Sequence, residues 1–195
     1  MNIVAVRTLM ETVTPQLGME YAQKMGITSL TKDDLGAAQA LGGLTKGVSN
    51  LEMTAAYASI ANSGVYTKPR FFTKILDHDG KVLIDNTPET KQVLKDSTAF
   101  LLTDAMSDSM KSNRKFTRSG VSITSTSTRA ALTSMSAAGK SGTTTGNNDV
   151  WFVGFTPYYT AGIWGGCDNN QKLTHGNVNN GGTSFHKNIW RNIMN

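Results

Sequence analysis

The sequence predicts an α+β fold, α/β in the broad sense: an antiparallel sheet with flanking helices. Apolar residues recur at helical spacing through Ile3–Val13, Leu17–Met25, Leu51–Asn62 and Asp96–Met110. Three β-type runs, 137–143, 149–155 and 158–167, then follow one another across short polar turns, as in an antiparallel meander. Helical spacing returns over 183–194, with Trp190 and Ile193 expected to face inward. No internal repeat is visible, and 195 residues suffice for one domain with a substantial core.

Val4, Val6, Leu9, Met10 and Val13 form the apolar stripe of the first helix, and Pro15 ends it or opens the next. Leu17, Tyr21, Ala22 and Met25 make the second helical face, stopped by Gly26. Met10, Met19 and Met25 are expected to fill a core. A polar connector, 29–34, precedes a small-residue stretch, 36–44, expected to pack tightly. Ser49 or Asn50 caps the helix 51–62, with Glu52 at its positive end and Gly64 after it. Asp77-His78-Asp79-Gly80 between 71–76 and 81–84 signals a β-hairpin. Asp96-Ser97 opens a helix that aligns Ala99, Leu102, Met106 and Met110. The Ser/Thr-rich stretch 117–136 is expected to be an ordered loop crossing the sheet.

Composition removes several functions. The net charge is +5, but basic residues are scattered and do not interleave with aromatics, so a nucleic-acid partner is not expected. One cysteine, Cys167, allows no intrachain disulfide or thiolate cluster and reads as a small apolar residue. His78, His175 and His186 lack metal-ligand spacing and are expected at the surface or in loops; no metal or cofactor is expected. No stretch reaches a membrane span, and no signal peptide is expected within the sequence.

The candidate site is Lys140-Ser141-Gly142-Thr143-Thr144, at the end of the first meander strand. Gly139-Lys140-Ser141 copies the end of a phosphate loop, but Ser134 stands where that motif needs glycine, and a turn rather than a helix follows. On a strand, Lys140 and Gly142 share one face, while Ser141 and Thr143 share the other. Gly142 leaves room for an extended ligand against the backbone. A cation beside several hydroxyls suits an anionic, peptide-like ligand.

The ordered segments resemble class A penicillin-binding proteins. Leu41-Gly42-Gly43, Gly47-Val48-Ser49, Leu51-Glu52-Met53, Ala56-Tyr57-Ala58, Ala61-Asn62-Ser63-Gly64-Val65-Tyr66 and Asp79-Gly80-Lys81-Val82-Leu83 resemble one run of that family. Ala138-Gly139-Lys140-Ser141-Gly142-Thr143-Thr144 resembles its third active-site motif. Val150-Trp151-Phe152-Val153-Gly154-Phe155-Thr156-Pro157 and Ile163-Trp164-Gly165-Gly166 resemble the next two strands, and Gly181-Gly182-Thr183 with Ile189-Trp190 the closing helix. The resemblance covers nearly the whole chain. It implies a partial penicillin-binding/serine β-lactamase-like transpeptidase fold over 1–195, helical over about 1–115 with a small hairpin at 71–84, then sheet and helix over about 137–195.

The family activity it implies is D,D-transpeptidation of peptidoglycan stem peptides through a serine acyl-enzyme that β-lactams trap. Lys140 would supply positive charge, Ser141 and Thr143 hydroxyls would hold the substrate carboxylate, and the Thr143 N–H would be an oxyanion donor. Gly142 and Thr144 would line the same ligand. Asn2 would be the last residue of the family's S-x-N motif, with Met1 at its middle position. The nucleophile would lie before that motif, so the chain is expected to be inactive alone. Ser29-x-x-Lys32 and Ser112-x-x-Lys115 copy the nucleophile spacing, but neither opens a buried helix, where serine and lysine lie one turn apart. The implied partners are stem peptides, β-lactams in the intact protein, and a second copy through an exposed sheet edge. The implied location is the extracytoplasmic face of the bacterial cell membrane. A β-lactamase or D,D-carboxypeptidase relative, or a non-catalytic wall-binding module, are the rival readings.

Overall fold

The computed structural model describes residues 2–111, 115–118, 121–173 and 184–195, with the backbone alone of 115–118 and 121–124. Helices and antiparallel strands are mixed, as the α+β expectation requires. The chain divides into two compact units, Met1–Lys95 and Asp96–Asn195.

In the first unit, α1 (Asn2–Arg7) runs into a π-helical turn, Thr8–Val13, and then α2 (Pro15–Lys24). Pro15 opens α2, where its missing N–H costs nothing, and Thr14 Oγ1 accepts from Leu17 N–H. Gly26 follows α2 at φ +91°, and a Cβ there would run into the Tyr66 ring. The expected stripe of the first helix is not core: Ile3 and Val4 are 75% and 67% exposed, and Met10 is exposed too. In α2 the buried residue is Met19, whereas Leu17 and Tyr21 are exposed. Periodicity gives a helix a side, but not a neighbour to cover it.

The polar connector ends in a 3₁₀ turn, Lys32–Asp34, built around one buried carboxylate. Asp34 accepts from the N–H groups of Thr45 (2.6 Å) and Thr31 (2.7 Å) and from both threonine hydroxyls. These bonds, the Thr45 N–H foremost, hold its pKa at about 2. The small-residue stretch forms a 3₁₀ helix, Ala37–Leu41, with no buried residue, so the expected tight packing is not found. Next, α3 (Asn50–Ala61) starts from a capping box between Ser49 and Glu52. Glu52 also accepts from Thr28 N–H and Oγ1 and is held at about 2, chiefly by the Thr28 hydroxyl. Gly64 ends the segment at φ +85°. Two antiparallel pairs follow: β1 (Val65–Thr67) with β4 (Thr90–Gln92), and β2 (Lys74–Leu76) with β3 (Val82–Asp85). The second is the expected hairpin; the first joins segments too short and too distant in sequence to read as a pair.

The second unit starts with α4 (Asp96–Asp108), whose Ala99 and Met106 are buried, as is Met110 just beyond it; Leu102 is exposed. The expected loop over 117–136 contains a hairpin instead, β5 (Lys115–Arg118) with β6 (Val121–Thr124), then a 3₁₀ turn, Thr128–Ala130. Phe116, Val121 and Ile123 carry the alternation, but each strand is only four residues long. The meander is as predicted: β7 (Ala138–Thr143), β8 (Asp149–Phe155) and β9 (Thr160–Gly166) form one sheet in that order. Between β7 and β8, Gly146 and Asn147 take positive φ in the expected turn.

The last helix, α5 (Phe185–Met194), covers one face of this sheet. Trp190 is fully buried, stands edge-on to Phe152 at 5.1 Å, and donates its indole N–H to Ala161 O at 3.0 Å. Met110 and Ala130 complete this core. Glycines make the close approach possible. A Cβ on Gly139 would stand 2.7 Å from the Phe152 ring, and one on Gly154 would stand 2.9 Å from Trp190. Ile193, expected inside, is 62% exposed, because Met194, a full turn beyond Trp190, takes the inward place. Cys167 is half-buried beside Val150 and Leu173, in line with its apolar reading.

Candidate active site

β7 is an edge strand among the described residues, and its backbone directions follow from one contact. Thr144 donates its N–H to Asp149 O at 3.1 Å, turning toward β8. Backbone groups alternate sides along a strand, so the N–H and C=O of Thr143, Ser141 and Gly139 point away from β8. Two further bonds agree. Gly139 O accepts from Ser109 Oγ at 2.9 Å, and Ser141 O accepts from Lys140 Nζ at 2.5 Å. The outward N–H groups of Ser141 and Thr143 therefore line an open edge.

Side chains divide as the alternation predicts. Lys140 and Gly142 oppose Val153 and Trp151, while Ser141 and Thr143 oppose Phe152 and Val150 on the α5 side. Lys140 is exposed on the strand, yet partial desolvation of its ammonium lowers its pKa from the ordinary lysine value. A Cβ on Gly142 would meet Trp151 at 3.3 Å, so the glycine keeps the backbone close to that ring. Trp164 lies beyond Trp151 at 6.4 Å and is fixed by its N–H bond to Asp149 Oδ1. Thr144 Oγ1 accepts from Asp149 N–H at 2.8 Å and so braces the turn.

The structure thus brings Lys140, Ser141, Gly142, Thr143 and Thr144 together on β7 and its turn. Asn2 belongs to the other unit, as the exposed first residue of α1. Ser29 donates its hydroxyl to Gly47 O at 2.6 Å in a loop, and Lys32 starts a 3₁₀ turn, so this pair is not on a helix. Ser112 lies outside the described residues, as do His175 and Gly181-Gly182-Thr183. Sequence reasoning missed Thr126, whose Oγ1 lies 3.2 Å from Ser141 Oγ. It is one of many hydroxyls in a stretch without periodicity, so nothing marked it.

His186 corrects the expectation of a surface histidine: it is fully buried on α5, and neither ring nitrogen has a hydrogen-bond partner among the described residues. It lies one turn before Trp190 and shares its inward side. Burial, helped by the Lys187 charge, lowers its pKa to about 4 from 6.5. Between these values the unfolded chain takes up a proton that the folded chain refuses. Stability is therefore complete above about pH 6.5 and declines as pH falls toward 4, by on the order of 2 kcal/mol. His186→Leu is expected to be near neutral at pH 7 and to flatten that decline, measured as urea midpoints at pH 7 and 4.5. Asp34 and Glu52, held at about 2 when folded, add their own loss only as pH falls below their ordinary values of 3.8 and 4.5, so the decline between pH 6.5 and 5 belongs to His186.

Comparison with known proteins agrees with this arrangement. The sequence profile of the penicillin binding protein transpeptidase domain matches residues 8–195. Penicillin-binding protein 1A of Clostridium acetobutylicum is 35% identical over 176 residues, spanning 90% of this chain and 20% of that protein. Penicillin-binding protein 1A/1B of Bacillus subtilis is 34% identical over 186 residues, spanning 87% of this chain and 19% of that protein. The chain spans about a fifth of the length of these curated relatives. Among solved structures, PonA1 of Mycobacterium tuberculosis superposes with TM-score 0.72 at 25% identity, over 95% of this chain and 50% of that one. PonA1 in complex with penicillin V superposes at 0.70 with 27% identity, over 91% of this chain and 48% of that one. An edge strand carrying Lys-Ser-Gly-Thr, its meander and its closing helix therefore match as one piece, and the chain belongs to the penicillin-binding protein transpeptidase domain family.

Proposed function

We propose that β7 binds the D-Ala-D-Ala end of a peptidoglycan stem peptide as an added antiparallel strand, and that the chain is a partial D,D-transpeptidase domain over 1–195. The outward N–H groups of Ser141 and Thr143 beside an exposed Lys140 carry this reading. Lys140 supplies the cation, the Ser141 and Thr143 hydroxyls meet the carboxylate, and the Thr143 N–H faces the oxygen where charge develops. Gly142 keeps the strand narrow and Thr144 fixes the turn that ends it. Asn2 is retained as the end of an S-x-N motif. A relative crystallised with penicillin V supports β-lactams as ligands of the same groove in the intact enzyme. The site belongs to the extracytoplasmic face of the membrane, where stem peptides are; no helix among the described residues is long and apolar enough to cross a membrane.

Calorimetric titration with acetyl-L-Lys-D-Ala-D-Ala tests the binding step. Lys140→Ala is expected to weaken binding about tenfold, the scale of one charge-assisted hydrogen bond. Equal affinity in the two proteins would sink the assignment of Lys140.

The attacking serine is not assigned to any residue of this chain, because Ser29 is committed to Gly47 and sits on a loop. A fluorescent penicillin is accordingly expected to leave the chain unlabelled after denaturing electrophoresis, and stoichiometric labelling would contradict this. The outer edge of β9 pairs with no strand among the described residues. Its exposed N–H and C=O groups favour self-association, expected as a dimer mass in light scattering. A monomer at high concentration would count against it.

A further inference from the structure

The strands of the first unit make one ribbon that opens in its middle. β1 pairs with β4 and β2 with β3, so the connecting segments 68–73 and 86–89 run side by side. Lys68 N–H donates to Glu89 O at 3.0 Å at one end, and Asn86 N–H donates to Thr73 O at 2.9 Å at the other. Between these bonds lie Pro69, Arg70, Phe71 and Phe72 on one side, but only Thr87 and Pro88 on the other. The two lengths do not match, and neither proline has an N–H to continue the ladder. The ribbon parts around a cavity of about 200 Å³, whose lining includes Pro69, Arg70, Phe72 and Pro88.

The charges around this cavity are matched unevenly. Lys68 is paired with Glu89 at 3.3 Å. The Asp85 carboxylate is engaged by the Thr87 hydroxyl at 2.9 Å and by Lys74 at 3.4 Å. Arg70 donates one N–H to Asn86 O at 2.6 Å and forms no ion pair among the described residues. The rest of its guanidinium fork is left for an anion at the cavity rim.

The same ribbon leaves a strand edge open. Thr73 O bonds to Asn86, and Asp77 N–H donates to Lys81 O, both on the β3 side. Alternation turns the N–H and C=O of Lys74 and Leu76 the other way, where no strand pairs with β2 among the described residues. The extra residue of the ladder, Leu83, interrupts β3, so β2 is the regular edge. Phe71 is 87% exposed, and Ile75, Leu76, Val82, Leu83 and Ile84 are exposed too. A two-stranded hairpin with this much uncovered apolar surface gains by burying it against a third strand.

We propose that β2 and the neighbouring cavity dock an extended, acidic segment of a partner protein as an added strand. Its backbone pairs with Lys74 and Leu76, and an apolar side chain enters the cavity. An aspartate or glutamate two residues away, and so on the same face, meets Arg70. Size and charge choose this occupant. A cavity of this volume takes one side chain rather than a lipid chain, and the cation without a carboxylate partner is complemented by an acidic neighbour. The edge lies within the Met1–Lys95 unit and does not depend on the reading of β7.

The test titrates acetyl-Thr-Glu-Thr-Phe-Thr-Glu-Thr-amide against the full chain, isotope-labelled, with a second peptide carrying Gln for both Glu. The acidic peptide is expected to shift the amide resonances of Arg70, Lys74, Leu76 and Asn86. Arg70→Gln should weaken its binding about tenfold and leave the glutamine peptide unchanged. Two further peptides are methylated on the Phe nitrogen or on that of the next Thr. These amides lie on opposite sides of a strand, so one of the two should lose binding and the other keep it. Absent shifts, undiminished binding to Arg70→Gln, an equal loss for the acidic and glutamine peptides, or equal behaviour of the methylated pair overturns the docking site. Shifts of the same resonances on concentrating the chain alone assign the edge to a second copy. Shifts with phosphatidylglycerol vesicles but not with peptide assign it to a lipid surface. Either result also overturns the proposal.

Discussion

Trp190→Ala is expected to lower the stability of the Asp96–Asn195 unit by about 4 kcal/mol, the usual scale for deleting a fully buried indole. Three losses combine. The ring leaves a cavity against Phe152, Met110 and Ala130. Ala161 O loses its indole partner. Gly154, which has no side chain, cannot refill the space from the sheet. Trp190→Phe separates the contributions, since it keeps an aromatic ring and loses the N–H; it should cost about half as much. Urea unfolding followed by far-UV circular dichroism checks both. A loss under about 1 kcal/mol for the alanine variant would mean that α5 does not hold the sheet.

Thr143→Pro is expected to leave the fold nearly untouched and to damage the site severely. The Thr143 N–H points away from β8, so proline removes no ladder bond there, and edge strands tolerate it. Thermal midpoints should agree within about 3 °C. Binding of acetyl-L-Lys-D-Ala-D-Ala should fall about tenfold, the value of one backbone hydrogen bond to a ligand in a desolvated groove. In a polypeptide that also carries the attacking serine, acyl transfer should drop by roughly 10² to 10³, the scale for removing one oxyanion donor. Thr143→Ala keeps the N–H and loses only the hydroxyl, so its rate loss should be much smaller. Equal losses in the two variants would remove the N–H from the mechanism.

Much of this was legible in the sequence. Gly-Asn-Asn between two β-type runs fixed the β7–β8 turn, and alternation then placed Lys140 and Ser141 on opposite faces without coordinates. Ser49 with Glu52 gave the start of α3 for the same local reason: a short side chain satisfying nearby N–H groups. What stayed hidden depends on distant partners. Nothing local tells that Ile3 and Val4 remain exposed while Met19 is covered. His186 is polar by type, yet helical spacing from Trp190 carries it inside. The 128–130 turn and α5 lie far apart in sequence, and only folding packs one against the other.

The paired glycines Gly139 and Gly154 work as a latch on strand alignment. Directly opposite one another, they leave a notch that the Phe152 and Trp190 rings enter from the helix side. Sliding β7 by one position would bring Ala138 or Lys140 into that notch, where a side chain collides with the rings. On the proposed reading, ligands meet an edge whose amides are already aimed before binding, and little ordering remains to oppose their capture.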